Sequence, residues 1–234
     1  PMIEPLNAVV LYLVFLFSTI VHEAAHAWTA LRGGDPTAYH GGQVSLDPRP
    51  HIRREPFGMV LLPLLSLAAS GWIFGYASAP YNARWAESHP KRAAVMSLAG
   101  PAANLLLVMA AWLVIRGGAH FGWLAPPMSI GFDRIVEAPG GGLAGIVALV
   151  LSVIFSLNLL LAVFNLIPFP PLDGSGVLPV LLPDRLMNAY RSLLAGRPGL
   201  AWIGIIGAWM IFDRIFPPIW LSAVNLLYPG HWYG

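Results

Sequence analysis

The sequence predicts an all-α polytopic membrane protein with four to five transmembrane helices, a re-entrant segment and a short β-hairpin after the first helix. Three observations predict it. Of 234 residues, 57% are hydrophobic and only 10% are charged, against about 25% charged in a soluble domain. The apolar residues gather in five runs, at 6–31, 57–79, 93–115, 143–167 and 200–228, and a span needs about 20 residues. The second run alone is dense in chain breakers, so it suits a segment that enters the membrane and returns.

The first run has no basic stretch before it and is too long for a signal-peptide core, so it reads as a retained span. Between the first two runs, Gly41-Gly42 precedes Gln43-Val44-Ser45-Leu46-Asp47, an alternating stretch ended by Pro48 and Pro50. This pattern predicts a short hairpin. The run at 57–79 carries Gly58, Pro63, Ser66, Ser70, Gly71 and Gly75. The third holds Gly100, Pro101 and Asn104, which allow close approach of its helix to the first, with an asparagine hydrogen bond between them. A Gly- and Pro-rich connection, 117–142, leads to the fourth run, which ends in Asn165-Leu-Ile-Pro168-Phe-Pro170-Pro171-Leu-Asp173-Gly174. Pro217-Pro218 is expected to kink or end the fifth. Residues 1–234 read as one membrane-embedded domain, with no segment for a soluble accessory domain.

The net charge of +2 and pI near 9.2 are too mild for a nucleic-acid partner, and the basic residues lie in loops, where they act as topology signals. The lipid bilayer is the expected surrounding. The excess of Ala, Gly and Arg over Lys points to a prokaryotic cytoplasmic membrane. With no cysteine, any metal must be held by His, Asp or Glu.

His22, Glu23 and His26 interrupt the first apolar run. An ionisable residue at a span's centre costs roughly 2.5 to 3.5 kcal/mol on insertion scales, so function is the first explanation for its presence. Positions i and i+4 share a helix face, so His22 and His26 can grip one cation with Glu23 beside it. The pattern HExxH, here HEAAH, is a zinc-hydrolase signature. A catalytic zinc takes three protein ligands and keeps a fourth position open, so one ligand is missing from the motif. Of the other acids, only Asp173 lies in a broken apolar helix. Both a ligand and a plain turn aspartate fit Pro-Pro-Leu-Asp-Gly-Ser-Gly.

HEAAH, Gly100-Pro101-x-x-Asn104, and Asn165 followed by Pro168, Pro171 and Leu172-Asp173-Gly174 together resemble the site-2 protease family of intramembrane zinc metalloproteases. The resemblance covers residues 10–185 and leaves 186–234 as a C-terminal helical extension; no PDZ or CBS domain accompanies it. It implies that His22, His26 and Asp173 bind Zn2+, that Glu23 is the catalytic base, and that Asn165 helps to hold the substrate. The implied partner is a membrane protein with a transmembrane segment, which must unwind before its backbone can be attacked. Gly41, Gly42, Gln43 and Val44 offer an edge on which the unwound strand could pair. Neither the substrate nor a regulator is named by the chain.

The topology follows from the site. At 1.5 Å per residue, His26 lies about 9 Å along the helix from Arg32, and His22 about 24 Å from Leu6. If every run crossed in turn, Asp173 would emerge on the face opposite the loop 32–56. If 57–79 re-enters, Asp173 arrives beside the histidines, and ten basic residues fall on the zinc side against Arg116 and Arg134 on the other. Because Lys and Arg enrich cytoplasmic loops, the site is expected nearer the cytoplasmic face. A metal transporter is the first alternative, yet it should repeat ligands across several helices, and the runs at 93–115, 143–164 and 200–212 carry no acid or histidine. A non-catalytic binding member of the same fold is the second, weakened by the retention of Glu23.

Overall fold

Apolar side chains in lipid force the backbone to satisfy its own hydrogen bonds, and the long runs therefore become helices. The computed structural model describes residues 4–183, 185–187 and 199–234. Helix α1, Pro5–Arg32, starts with proline at its first position and ends with arginine in its last turn, both suited to those ends. Its buried residues include Leu11, Phe15, Ser18, His22, His26 and Ala30, one stripe at helical spacing. The polar members of that stripe face protein rather than lipid.

The stretch expected to form a hairpin does not. Helices α2, Thr37–His40, and α3, Pro48–Arg54, occupy the region, joined by turns and bends, and among the described residues only isolated bridges occur, Ala125 with Glu137 and Gly131 with Arg134. The reason is local: Asp47 accepts from the Arg49 N–H at 3.0 Å as a helix cap, and Pro48 and Pro50 fit the first turn behind it. Residues expected to stop a strand start a helix instead.

A π turn, Phe57–Leu61, leads into α4, Leu62–Ser70, which ends at Gly71 with φ of 71°. From Ile73 to Asn82 the chain has no helix or turn and runs back along the arm. Phe74 N–H donates to Ser66 Oγ at 2.9 Å, Tyr76 N–H to the Gly58 carbonyl at 3.1 Å, and the Ser78 carbonyl accepts from Arg54 Nε at 3.1 Å. A side chain at Gly58 would collide with the Tyr76 carbonyl, which is why the two limbs meet on a glycine. The helical limb is about 20 Å long at 1.5 Å per residue, too short to cross, and six or seven extended residues at about 3.3 Å cover the same distance back. The extended limb therefore ends beside the residues that precede the segment, with Ser78 against Arg54.

Helix α5, Ala83–Ser88, precedes α6, Pro90–His120, then α7, Gly142–Asn165, a 3-10 turn at Asp173–Val177, α8, Leu178–Leu181, and α9, Gly199–Leu227. Among the described residues, four helices are long and apolar enough to cross a membrane: α1, α6, α7 and, within α9, Gly204–Leu227. The protein is accordingly a helical membrane protein. Pro217 and Pro218 neither end α9 nor split it. The flanking turns are held by packing, with Phe216, Trp220, Val224 and Leu227 in one core with α6 and α7, and Trp220 Nε1 donates to Ser156 Oγ at 3.0 Å.

Two sets of bonds fix the ends of α1. Asn7 Nδ2 donates to Asp133 Oδ2 at 2.7 Å, placing the 121–141 connection at its start. Trp85 Nε1 and Arg92 each donate to the Gly33 carbonyl at 3.1 Å, placing the 83–92 segment at its end. Arg191 and Arg197, two of the basic residues in the charge argument, lie outside the described residues.

Candidate metal centre

His22 and His26 stand one turn apart on the buried stripe of α1, with their Nε2 atoms 3.0 Å apart. Asp173 reaches them from the first residue of the 3-10 turn, its Oδ2 3.0 Å from His22 Nε2 and its Oδ1 3.2 Å from His26 Nε2. The segment carrying it is anchored by Ile167 and Leu172, which pack with Ala208 and Phe212 of α9. Gly174 lies on the Leu166 carbonyl, where any side chain would collide, so the chain can double back and deliver the carboxylate. Asp173 thus opens a turn and also stands where it could hold a metal ion together with the two histidines.

The donor set fits a tetrahedral cation. Zinc bonds of about 2.0 to 2.1 Å imply ligand-to-ligand edges of about 3.3 Å, and the three ligands lie within 4.8 Å of one another. Both imidazoles are held by their far nitrogens. His26 Nδ1 faces the Met96 carbonyl at 2.7 Å, and His22 Nδ1 faces Asn104 Oδ1 at 2.5 Å. Each partner only accepts, so each Nδ1 carries the proton and each Nε2 turns a lone pair on the common point. Two lone pairs and a carboxylate converging in a buried site call for a cation. Gly100 of α6 closes the back of the site: a Cβ there would run into both Nε2 atoms.

A cleft of about 220 Å³ opens on the other side, with Glu23, Ser78, Tyr81, Ser97 and Asp173 among its lining. Glu23 is only 6% exposed, yet among the described residues no hydrogen bond ties its carboxylate elsewhere. The remaining expected residues sit apart from the cleft. Asn165 donates to the Leu161 carbonyl of its own helix at 3.0 Å. Gly41, Gly42 and Val44 do not line the cleft, and Gln43 is buried behind it, donating to the Ser78 carbonyl at 3.1 Å. The wall is built by 77–81, in the extended limb that follows α4.

Two residues of the site escape a reading by motif. Asn158 of α7 and Ser18 of α1 are both fully buried, and they extend the polar contacts of His22 away from the cleft. A lone amide in the middle of an apolar run is the signal that marks Asn158.

A family model described as Peptidase family M50 matches residues 10–194. Over 174 residues the chain is 31% identical to "Putative zinc metalloprotease YwhC" of Bacillus subtilis, covering 74% of this chain and 69% of that protein. It is 31% identical over 187 residues to "Putative zinc metalloprotease Rip2" of Mycolicibacterium smegmatis, covering 78% and 62%, and 33% identical over 171 residues to the protein of that name in Mycobacterium tuberculosis, covering 73% and 56%. The chain thus spans 56% to 69% of the length of these relatives. No solved structure gives a significant match.

Proposed function

Since the chain belongs to peptidase family M50, the site-2 protease family of zinc metalloproteases, we propose that it hydrolyses peptide bonds in or near transmembrane segments of other membrane proteins. The observation that carries this reading is the convergence of His22, His26 and Asp173 on one point towards the C-terminal end of an apolar helix, beside a cleft. Zinc, when held there, polarises the scissile carbonyl and makes water acidic near neutrality. His22 and His26 keep Nε2 free for it through their Nδ1 bonds, and Asp173 supplies the balancing negative charge. Glu23, which has no competing partner among the described residues, takes the proton of the attacking water and returns it to the leaving amine.

Substrate binding falls to the returning limb. Tyr76 and Ser78 spend their backbone groups on Gly58, Gln43 and Arg54. Alternation then turns those of Ala77 and Ala79 the opposite way, towards a substrate strand in the cleft. Non-helical backbone at membrane depth is tolerated where it lines a wet cavity, and the cleft meets that condition. Gln43 acts from behind as a prop, and Asn165 joins by exchanging its bond to Leu161 for one to the substrate. The basic residues beside Arg32 and α5 orient this end to the cytoplasm. A metal-transport reading lacks a second site: among the described residues the three ligands form the one cluster of its kind.

The test is metal analysis of purified protein together with reconstitution against single-span substrates. Glu23→Gln is expected to retain zinc and lose cleavage, and Asp173→Ala to lose zinc. Cleavage by Glu23→Gln at the wild-type rate would reassign the base.

A further inference from the structure

Behind His22 runs a buried chain of amides with one direction. Asn104 Oδ1 faces His22 Nδ1 at 2.5 Å, Asn104 Nδ2 donates to Asn158 Oδ1 at 2.7 Å, and Asn158 Nδ2 donates to Ser18 Oγ at 2.9 Å and to the Ile154 carbonyl at 2.8 Å. Asn104, Asn158 and Ser18 are all at 0% exposure, and they come from three different spans. Such a network at this depth exceeds what helix packing needs, because a Leu in each place would pack without any polar group to satisfy.

A carboxamide can turn over, exchanging its oxygen and nitrogen. Turned over, Asn104 would present N–H donors to His22 Nδ1, which must then become an acceptor, and the proton would move to Nε2. That tautomer has no lone pair for a cation. Asn158 opposes the turn, since its Oδ1 accepts only a donor and so holds Nδ2 of Asn104 on the far side at 2.7 Å, with the Ser18 carbonyl a longer second acceptor at 3.5 Å. Its own orientation is set by the Ile154 carbonyl, which also only accepts.

We propose that Asn158 is a positioning residue which, through Asn104, locks His22 in the tautomer that binds metal. The inference rests on the metal-centre reading and adds to it a residue 136 positions from His22 in sequence and out of contact with any ligand atom. Lys-free and acid-free as it is, this relay works by polarity of hydrogen bonds and not by charge.

The experiment is zinc affinity of the detergent-purified full chain, by competition with a chromophoric chelator, with thermal unfolding of the metal-free protein alongside. Asn158→Leu is expected to weaken zinc binding about 10- to 100-fold, the usual range for outer partners of a ligating histidine. In an Asn104→Asp background the same Asn158→Leu change is expected to bring no loss of affinity, because a carboxylate accepts from His22 in either orientation and has no N–H to give Asn158 Oδ1. A purely structural role would make the two losses equal, and that result overturns the proposal, as does an unchanged affinity in Asn158→Leu alone. Should Asn158→Leu fail to fold, Asn104→Leu against Asn104→Asp reads the same contact: loss in the first with retention in the second supports the relay, and equal loss refutes it. Absence of zinc binding in the wild-type chain is a separate result, which removes the metal-centre reading and the relay together.

Discussion

A Cβ placed on Gly100 would stand 2.5 Å from His22 Nε2, so α6 meets the edge of that imidazole that faces Asp173 with bare backbone. The ring cannot retreat, because its other nitrogen is held by Asn104. Gly100→Ala therefore sets two effects against each other. Alanine favours the helix by about 1 kcal/mol over glycine, while the methyl group forces the ligand pair apart. Overpacking against the rings costs about 1 to 3 kcal/mol, so the metal-free protein should unfold at an equal or lower temperature, and zinc affinity should fall at least 10-fold, an order set by misplaced ligands. Chelator competition on the purified variant measures the second effect, and unchanged affinity would show that α6 does not press on the rings.

Tyr81 and Gly131 belong to opposite faces of the membrane if the segment 57–79 returns to its side of entry. The bonds of Gly33 to Trp85 and of Asn7 to Asp133 put the two neighbourhoods at opposite ends of a helix of 28 residues, about 40 Å apart at 1.5 Å per residue. The chain contains no cysteine, so single cysteines at 81 and 131 can be labelled with an impermeant reagent in oriented vesicles. One should react from each side. Labelling of both from the same side would make the arm a full crossing.

Ala79→Pro tests the cleft wall. It removes an N–H that faces away from the Gln43 and Arg54 props and leaves every metal ligand untouched. One backbone hydrogen bond is worth about 0.5 to 1.5 kcal/mol net, so kcat/KM against a membrane-protein substrate should fall roughly 2- to 12-fold. Zinc content should not change. Activity equal to wild type would move substrate pairing off residues 77–81.

The legible part of this protein was the part built on short spacing. HEAAH points to two histidines on one helix face, and the structure sets His22 and His26 side by side; the breakers of 57–79 point to an interrupted run, which is a short helix followed by an extended return. What escaped depended on partners far away in sequence. The alternation at 43–47 resembles a strand, but Asp47 caps the helix that Pro48 begins, and the cap prevails where no neighbouring strand offers a ladder. The cleft wall could not be assigned to 77–81 without knowing that Gly58 and Tyr76 meet. Asn158 gives a signal by its polarity alone, and its role appears only once folding sets it against Asn104, 54 positions earlier. Prolines 217 and 218 read as a kink or an end, and packing of the same helix on α6 and α7 rules out the end.

Asp35 ties the metal helix to the far end of the cleft wall. It is 2% exposed; its Oδ1 accepts from the N–H and hydroxyl of Thr37, and its Oδ2 from the Asn82 N–H at 2.7 Å. Burial alone would push this carboxyl up, but the donations from Thr37 and Asn82 outweigh it and hold the group below its ordinary range. A carboxyl lowered on folding contributes stability that is complete above the unfolded value of about 3.9 and disappears as pH falls through the folded one. In Asp35→Asn an amide nitrogen meets one of those donors, so the variant should be less stable by about 1 kcal/mol at pH 7. Its deficit should shrink below about pH 4 as the wild-type carboxyl takes up its proton. Because Asn82 follows directly on the wall, loosening it should also raise KM for a membrane-protein substrate while zinc content stays constant. Thermal midpoints of both proteins from pH 3 to 8 supply the check, and a deficit that persists undiminished at pH 3 would mean that the charge of Asp35 is not what holds Asn82.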